Sequence, residues 1–313
     1  MQIRFWGVRG SLPTPLTSSQ IKEKMSAILA QALPEDIATA ESRERFVAAL
    51  PPWLFGTVGG NSPCVSVHFE GSNEPIIFDC GSGIREMGLA CLKEQPMALR
   101  YYIFFSHFHW DHIQGFPFFV PAYNPSATVN FFSPEKKLKN HLFGQMGGSY
   151  FPVPMDYMAA RQNFYVLEKP LSIGLATISF RKMNHPGGSY AYLVCHNGKR
   201  FIYATDTELS TPDFFKTQEN IDFFQNADVI VLDSQYTLGE AIEKHNWGHN
   251  AFSLSVDFAV SWGIKHLVLF HHDPAYDDIK LHGVLQAARW YLQRMDVHNL
   301  EVSLATEGLE IAL

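Results

Sequence analysis

Residues 106–112 read Ser-His-Phe-His-Trp-Asp-His, directly after the apolar run Tyr-Tyr-Ile-Phe-Phe at 101–105. Buried imidazoles and carboxylates are costly unless paired, whereas one divalent cation satisfies several of them at once. The run therefore constrains the fold: a strand must deliver it to a shared centre, with further ligands arriving from elsewhere. Residues two apart in an extended segment point the same way, so His107 and His109 can hold one ion. A tight turn after Trp110 would aim Asp111 and His112 at a second.

The rest of the chain supplies such strands. Short apolar runs recur at 3–6, 65–69, 76–78, 101–105, 129–132, 191–194, 201–204, 229–232 and 267–270, several of them apolar throughout, as strands buried on both faces are. Helical patterns lie between some of them. One covers 251–262, with Asn250 as the expected N-cap, Phe252, Val256 and Ala259 on one stripe, and Gly263 as the stop; another covers 279–295. This mixture predicts an α/β fold, sheets covered by helices, in a single domain over 1–313. Residues 14–58 read as a helical insertion: helix-prone stretches at 18–33 and 38–50 are bounded by Pro13, Pro15, Pro34, Pro51 and Pro52. The insertion would cover the active site or a subunit contact. The aromatic, Pro- and Gly-rich region 115–158 would cap the core or wall a pocket.

Composition narrows the function. A hydrophobic content of 46% is ample for a full core, and the net charge of −7 supplies no broad basic surface for long nucleic acid. A small phosphate ester in a metal-neutralised pocket remains compatible with it. The cysteines Cys64, Cys80, Cys91 and Cys195 show no CxxC spacing and read as reduced thiols of a cytoplasmic protein. The N-terminus lacks a basic segment followed by an apolar one, and no apolar run is long enough for a membrane span.

Several strands end in a ligand-type residue: Asp79 follows 76–78, Asp206 follows 201–205, Asp233 follows 229–232 and His271 follows 267–270. His185 lies in the loop Asn-His-Pro-Gly-Gly before another strand. Such ends can converge at one edge of a sheet, where sites on α/β scaffolds gather.

These motifs resemble the metallo-β-lactamase superfamily, and within it the phosphodiesterase branch that includes tRNase Z and the phosphoribosyl cyclic phosphodiesterases. The resemblance is carried by Asp79 in Phe-Asp-Cys-Gly-Ser-Gly, the HxHxDH run, His185, Asp206 in Ala-Thr-Asp-Thr, Gly248-His249, and His271 in Leu-Phe-His-His-Asp-Pro. It implies a four-layer α/β/β/α sandwich and a homodimer. It also implies one metal on His107, His109 and His185, a second on Asp111, His112 and His271, and Asp206 bridging them. Asp79 would orient ligands without being one. No thiolate stands where antibiotic-hydrolysing members place a Cys, and His109 stands where flavodiiron oxygen reductases have Glu. An all His/carboxylate pair of sites suits two divalent ions, Zn²⁺ first, with Mn²⁺ or Fe²⁺ also compatible.

The implied activity is a dinuclear metal-dependent hydrolase using a metal-bridging hydroxide, with a small or nucleotide-like phosphodiester, including a cyclic one, as substrate. Asp111 would take the proton of the nucleophile, and His249, oriented by Asp233, would protonate the leaving oxygen. Asn250 departs from the Ser/Thr that follows this His in the family. The short interval from His185 to Asp206 leaves no room there for the arm with which many tRNase Z enzymes hold tRNA. The alternative is a thioesterase or lactonase of the glyoxalase II or lactonase type, which shares the ligands but does not need the Asp233/His249 pair. Of the adjacent His271 and His272, His271 matches the ligand, and Arg9 and Arg85 read as structural clamps or ion pairs rather than phosphate grips.

Overall fold

The structure, a computed structural model, describes residues 1–93 and 98–313. In chain order its strands are β1 (Gln2–Gly7), β2 (Cys64–His68), β3 (Ile76–Phe78), β4 (Arg100–Phe104), β5 (Thr128–Ser133), β6 (Arg161–Val166), β7 (Leu171–Ile173), β8 (Ala176–Met183), β9 (Ser189–His196), β10 (Lys199–Ala204), β11 (Val229–Asp233), β12 (His266–Phe270), β13 (Glu301–Leu304) and β14 (Glu310–Ala312). Among the described residues they form two seven-stranded sheets, ordered β14-β1-β2-β3-β4-β5-β6 and β13-β12-β11-β10-β9-β8-β7. The helices are α1 (Ser18–Gln31), α2 (Pro34–Ile37), α3 (Ala40–Ala49), α4 (Pro52–Phe55), α5 (Gly83–Cys91), α6 (Trp110–Ile113), α7 (Leu138–Gln145), α8 (Gln218–Phe224), α9 (Leu238–Glu243), α10 (Phe252–Ser261) and α11 (Asp278–Arg294).

Alternation along the central strands produces the layering. In β4, Tyr101 and Ile103 join Ile84 and Met87 of α5 and Leu138 and Leu142 of α7 in one outer core. Phe104 points the other way into a core between the sheets and stacks on Phe132 at 4.6 Å. In β12, Leu267 and Leu269 pack with Phe258 of α10 and Leu281 of α11, while Val268 and Phe270 enter the middle core. Both faces of these strands are buried, which is why they read as unbroken apolar runs. Each such Leu or Phe contributes about 1.5–3 kcal/mol by leaving water. The result is the four-layer α/β/β/α sandwich.

The strands missing from the sequence pattern are those with a wetter face or a position near an edge. β8 alternates buried and exposed positions and carries Arg181 and Lys182, and β6 and β14 lie at the ends of their sheet. A boundary also moves: Ala251, not Asn250, is the N-cap of α10. The Asn250 side chain is committed elsewhere, accepting from the Leu209 N–H at 2.7 Å and donating to the Asp233 carbonyl at 3.4 Å.

Within 14–58, α1, α2 and α3 bury no residue, and α1 and α3 open with Thr17 and Thr39 capping boxes. Leu54 of α4 is buried, and Lys24 ties α1 to Asp278 at the start of α11. The 115–158 region takes both expected roles. Phe116 and Phe119 are sealed in the outer core, whereas Tyr150 and Phe151 line a cleft beside Phe108 and Trp110. Cys64, Cys80, Cys91 and Cys195 are free thiols. Among the described residues no helix is long and apolar enough to cross a membrane.

Strand direction positions the site. β3, β4, β5 and β6 run parallel in one sheet, and β10, β11, β12 and β13 in the other. Parallel strands place their carboxyl ends along one edge, so whatever follows β3, β4, β10, β11 and β12 is gathered there.

Candidate metal centre and catalytic site

Three residues at those ends leave their strands through the left-handed region: Asp79 at φ 61°, Asp206 at φ 49° and His271 at φ 66°. Asp and His are among the non-glycine residues found there most often, yet the conformation still costs on the order of 1 kcal/mol each. After β4 the chain bends at Ser106, is extended at His109 (φ −63°, ψ 156°) and then turns into α6 at Trp110. His107 and His109 reach one group of candidate ligand atoms, and the helical turn brings Asp111 and His112 to the other.

Candidate ligand atoms of His107, His109, His185 and Asp206 lie within 4.8 Å of one another, as do those of Asp111, His112, Asp206 and His271. Asp206 belongs to both groups. Its Oδ2 lies 3.6 Å from the Nε2 of His107 and of His185, and its Oδ1 lies 3.1 Å from the Nε2 of His112 and of His271. Asp111 Oδ2 is 3.1 Å from His112 Nε2 and 3.2 Å from His271 Nε2. All seven residues singled out in the sequence as ligands are therefore brought together, in the expected grouping.

Asp79 organises both groups from beneath. Its Oδ1 accepts the Ser106 N–H at 2.7 Å, and its Oδ2 accepts Ser106 Oγ at 2.7 Å, His112 Nδ1 at 2.8 Å and Tyr203 OH at 2.8 Å. Ser106 Oγ in turn takes His107 Nδ1 at 3.0 Å. His185 Nδ1 donates to the Gly248 carbonyl at 3.0 Å. Each of these three imidazoles thus commits Nδ1–H to the protein and turns Nε2 to the centre, the orientation in which that nitrogen, once without a proton, can ligate a metal. His107 Nε2 and His112 Nε2 are sealed from water without a hydrogen-bond partner. A buried pair of that kind among carboxylates fits a cation.

Protonation follows the same logic. Burial and the neighbouring His112 push His107 well below the usual histidine value, and burial also lowers His109 and His185. Burial would raise Asp111 and Asp206, but the imidazoles, His112 above all, hold both well below the usual carboxylate range. His112 is the exception: burial opposes its charge, yet Asp111, Asp206 and Asp79 hold it well above the usual value. Its proton stands in for the positive charge these carboxylates need, and an ion binding there would displace it.

Beside this cluster, His249 Nδ1 donates to Asp233 Oδ2 at 2.7 Å, and the His249 ring stacks on His271 with centroids 5.0 Å apart. Burial lowers the His249 value, but Asp233 more than compensates and raises it to about 9. The other Asp233 oxygen accepts the Asn250 N–H at 3.0 Å, so Asn250 serves the carboxylate through its backbone.

The sequence reading missed the backbone that supports these side chains. Ser11 N–H donates to Asp111 Oδ2 at 2.8 Å. A Cβ on Gly10 would stand 2.5 Å from His271 Nδ1, and one on Gly248, at φ 89°, 2.2 Å from His185 Nδ1. Both glycines let main chain lie flat against a candidate ligand. Arg9 is a buried backbone clamp, bonding the Gly59 carbonyl at 2.9 Å and the Tyr276 carbonyl at 2.7 Å, and Arg85 pairs with Glu86 at the surface. His272 turns away to the Ala305 carbonyl at 2.8 Å.

Residues 75–272 match the family profile described as a Beta-lactamase superfamily domain. The ribonuclease Z of Streptococcus pneumoniae serotype 19F (strain G54) is 23% identical over 249 residues, covering 64% of this chain and 79% of that protein. A metallo-beta-lactamase fold protein from Bacillus subtilis superposes with a TM-score of 0.64 at 17% identity, covering 99% of this chain and 98% of the other. The short form of human tRNase Z gives 0.61 at 16% identity, covering 100% and 99%. The profile spans more than half of the chain and includes all seven candidate ligand positions, so the chain belongs to the metallo-β-lactamase superfamily and is a distant relative of its ribonucleases Z.

Proposed function

We propose that this protein is a dinuclear metal-dependent phosphodiesterase acting on a small or nucleotide-like phosphodiester. His107, His109 and His185 would hold one divalent ion and Asp111, His112 and His271 the other, with Asp206 shared; the donor set suits Zn²⁺, with Mn²⁺ and Fe²⁺ also compatible. When bound, such a pair activates a water at neutral pH and neutralises charge developing on the phosphoryl oxygens. Asp111, fixed by the Ser11 N–H, would take the proton of the attacking water. The His249–Asp233 contact at 2.7 Å carries the reading. It provides a histidine that holds its proton at neutral pH beside the cluster, which an alkoxide leaving from phosphorus needs and a thiolate does not. Kinship with ribonucleases Z, by name enzymes of RNA cleavage, supports phosphodiester chemistry. β9 and β10 join through Asn197-Gly198 without an arm between them, which favours a small substrate over tRNA. The four cysteines, free among the described residues, support a cytoplasmic location for this activity.

The test is His249→Ala, assayed on a dialkyl phosphate and on bis(p-nitrophenyl) phosphate, with metal content by elemental analysis. Loss of about 10²–10⁴-fold on the alkyl ester, a much smaller loss on the nitrophenyl ester and unchanged metal content are expected. Equal losses on both esters would refute His249 as the acid, and turnover confined to thioesters and lactones would refute the phosphodiesterase reading and favour the thioesterase or lactonase alternative.

A further inference from the structure

His249 also forms part of the wall of a cleft of about 950 Å³. Its floor comes from the segment 208–211, just after Asp206, and from 249–254; its sides are α9, α10 and α11. Leu238, Ala241, Ile242, Leu254, Ala287 and Trp290 face into it, and no lysine or arginine does among the described residues. The two carboxylates at its edge are occupied. Glu208 accepts from His245 Nδ1 at 2.9 Å and from the N–H groups of Asn246 and Gly248, both at 3.0 Å, and Asp257 accepts from Tyr291 OH at 2.8 Å. What remains for a ligand is mostly hydrocarbon, in a volume ordinary for a small-molecule site. Leu238, Ile242 and Trp290 are 60%, 70% and 57% exposed, apolar surface with nothing over it.

The place of His249 between cluster and cleft decides what the cleft is for. An acid that protonates a leaving oxygen has the rest of the leaving group beyond that oxygen, on its own side. We propose that this cleft receives the leaving alcohol, and that the substrate is a phosphodiester whose leaving alcohol carries an uncharged, apolar group. The inference rests on the phosphodiesterase reading and on His249 as its acid. The charge of the cleft argues for this occupant against a longer nucleotide chain, whose further phosphates would call for lysines or arginines and would here meet Glu208 and Asp257. In the reaction, water adds its oxygen to phosphorus and gives a proton to Asp111. The bond from phosphorus to the alcohol oxygen breaks, and that oxygen takes the proton of His249, so diester and water give monoester and alcohol.

The test uses the full-length metal-loaded protein on methyl butyl and methyl octyl phosphate, following alcohol release by mass spectrometry, with dimethyl phosphate, whose leaving methanol has no chain to bury, as the basal reporter. Burying a methylene is worth about 0.8 kcal/mol, roughly fourfold, so kcat/KM should rise by about two orders of magnitude from butyl to octyl. Ile242→Glu, at an exposed position outside the catalytic machinery, should cut octyl turnover at least about tenfold and leave the reporter within about twofold, by the same burial argument. Turnover of the reporter with no dependence on chain length would overturn the inference and leave the phosphodiesterase reading standing. An octyl preference untouched by Ile242→Glu would overturn the placement, and absence of turnover on every phosphodiester would overturn both.

Discussion

Replacing Asp79 by Asn removes one charge and no volume, and the consequence can be worked out from four hydrogen bonds. The carboxylate accepts from Ser106 N–H on one oxygen, and from Ser106 Oγ, His112 Nδ1 and Tyr203 OH on the other. An amide has one oxygen and one NH₂, so it faces a choice. If the NH₂ replaces Oδ1, it meets the Ser106 backbone N–H, a donor that cannot become an acceptor. If it replaces Oδ2, the two hydroxyls can rotate, but His112 can relieve the clash only by moving its proton from Nδ1 to Nε2, the atom 3.1 Å from both Asp111 and Asp206. Either orientation leaves a buried donor facing a donor, at about 1–3 kcal/mol, and weakens bonds worth about 1.5–3 kcal/mol each while the acceptor was charged. A net destabilisation of roughly 2–4 kcal/mol is expected. Metal affinity on the His112 side should fall by about 10–100-fold, because the tautomer that presents a lone pair is no longer enforced. Chelator competition with elemental analysis reads the affinity, and urea denaturation reads the stability. An Asp79→Asn protein that keeps two ions at the wild-type competition midpoint, with stability within about 0.5 kcal/mol of wild type, would refute the argument.

Three further outcomes are expected. Gly10→Ala should displace the His271 ring, whose Nδ1 would lie 2.5 Å from the new Cβ, and so deplete one of two metals while circular dichroism stays native; full metal occupancy would contradict this. Turnover of alkyl esters should fall at high pH as His249 loses its proton, with the limb at or below about 9 because bound cations would lower that value, and Asp233→Asn should move the limb to lower pH. His272, held at about 3 by burial and otherwise titrating near 6.5, binds a proton more readily unfolded than folded; its contribution is complete above about pH 6.5 and is lost as pH falls toward 3. At pH 5 this amounts to about 2 kcal/mol, and urea midpoints for His272→Gln should show a shallower acid loss than wild type.

Six of the seven candidate ligands were legible because each announces itself locally, as a polar residue where a buried strand stops or as part of the HxHxDH run, whereas His185, in the loop Asn-His-Pro-Gly-Gly, was legible chiefly through the family resemblance. Parallel strands convert that one-dimensional signal into a shared edge. The cleft beside His249 was not legible, since α9, α10 and α11 each look like ordinary helices and only their mutual placement leaves a gap. Gly10 and Ser11 act through main-chain atoms, which every residue carries, so no side-chain pattern could single them out. Asn250 looked like an N-cap because that is the commonest local use of Asn before a helix; Asp233 and Leu209, distant in sequence, made a better offer for its hydrogen bonds. Strands such as β8, next to the edge of its sheet, were missed because a wet face dilutes the apolar pattern on which recognition of strands depends.

The left-handed backbone at Asp206 and His271 means that the main chain alone has no use for the residues it carries there. Glycine would occupy each position with less strain, and for a chain no longer selected for chemistry, replacement by glycine is energetically downhill at the backbone. The centre is therefore maintained against a standing bias. In a lineage that retained this sandwich as a scaffold and lost the reaction, these two corners are where decay toward glycine should begin, well before Asp79, whose four hydrogen bonds support the fold, or the apolar runs that hold the sheets together begin to change.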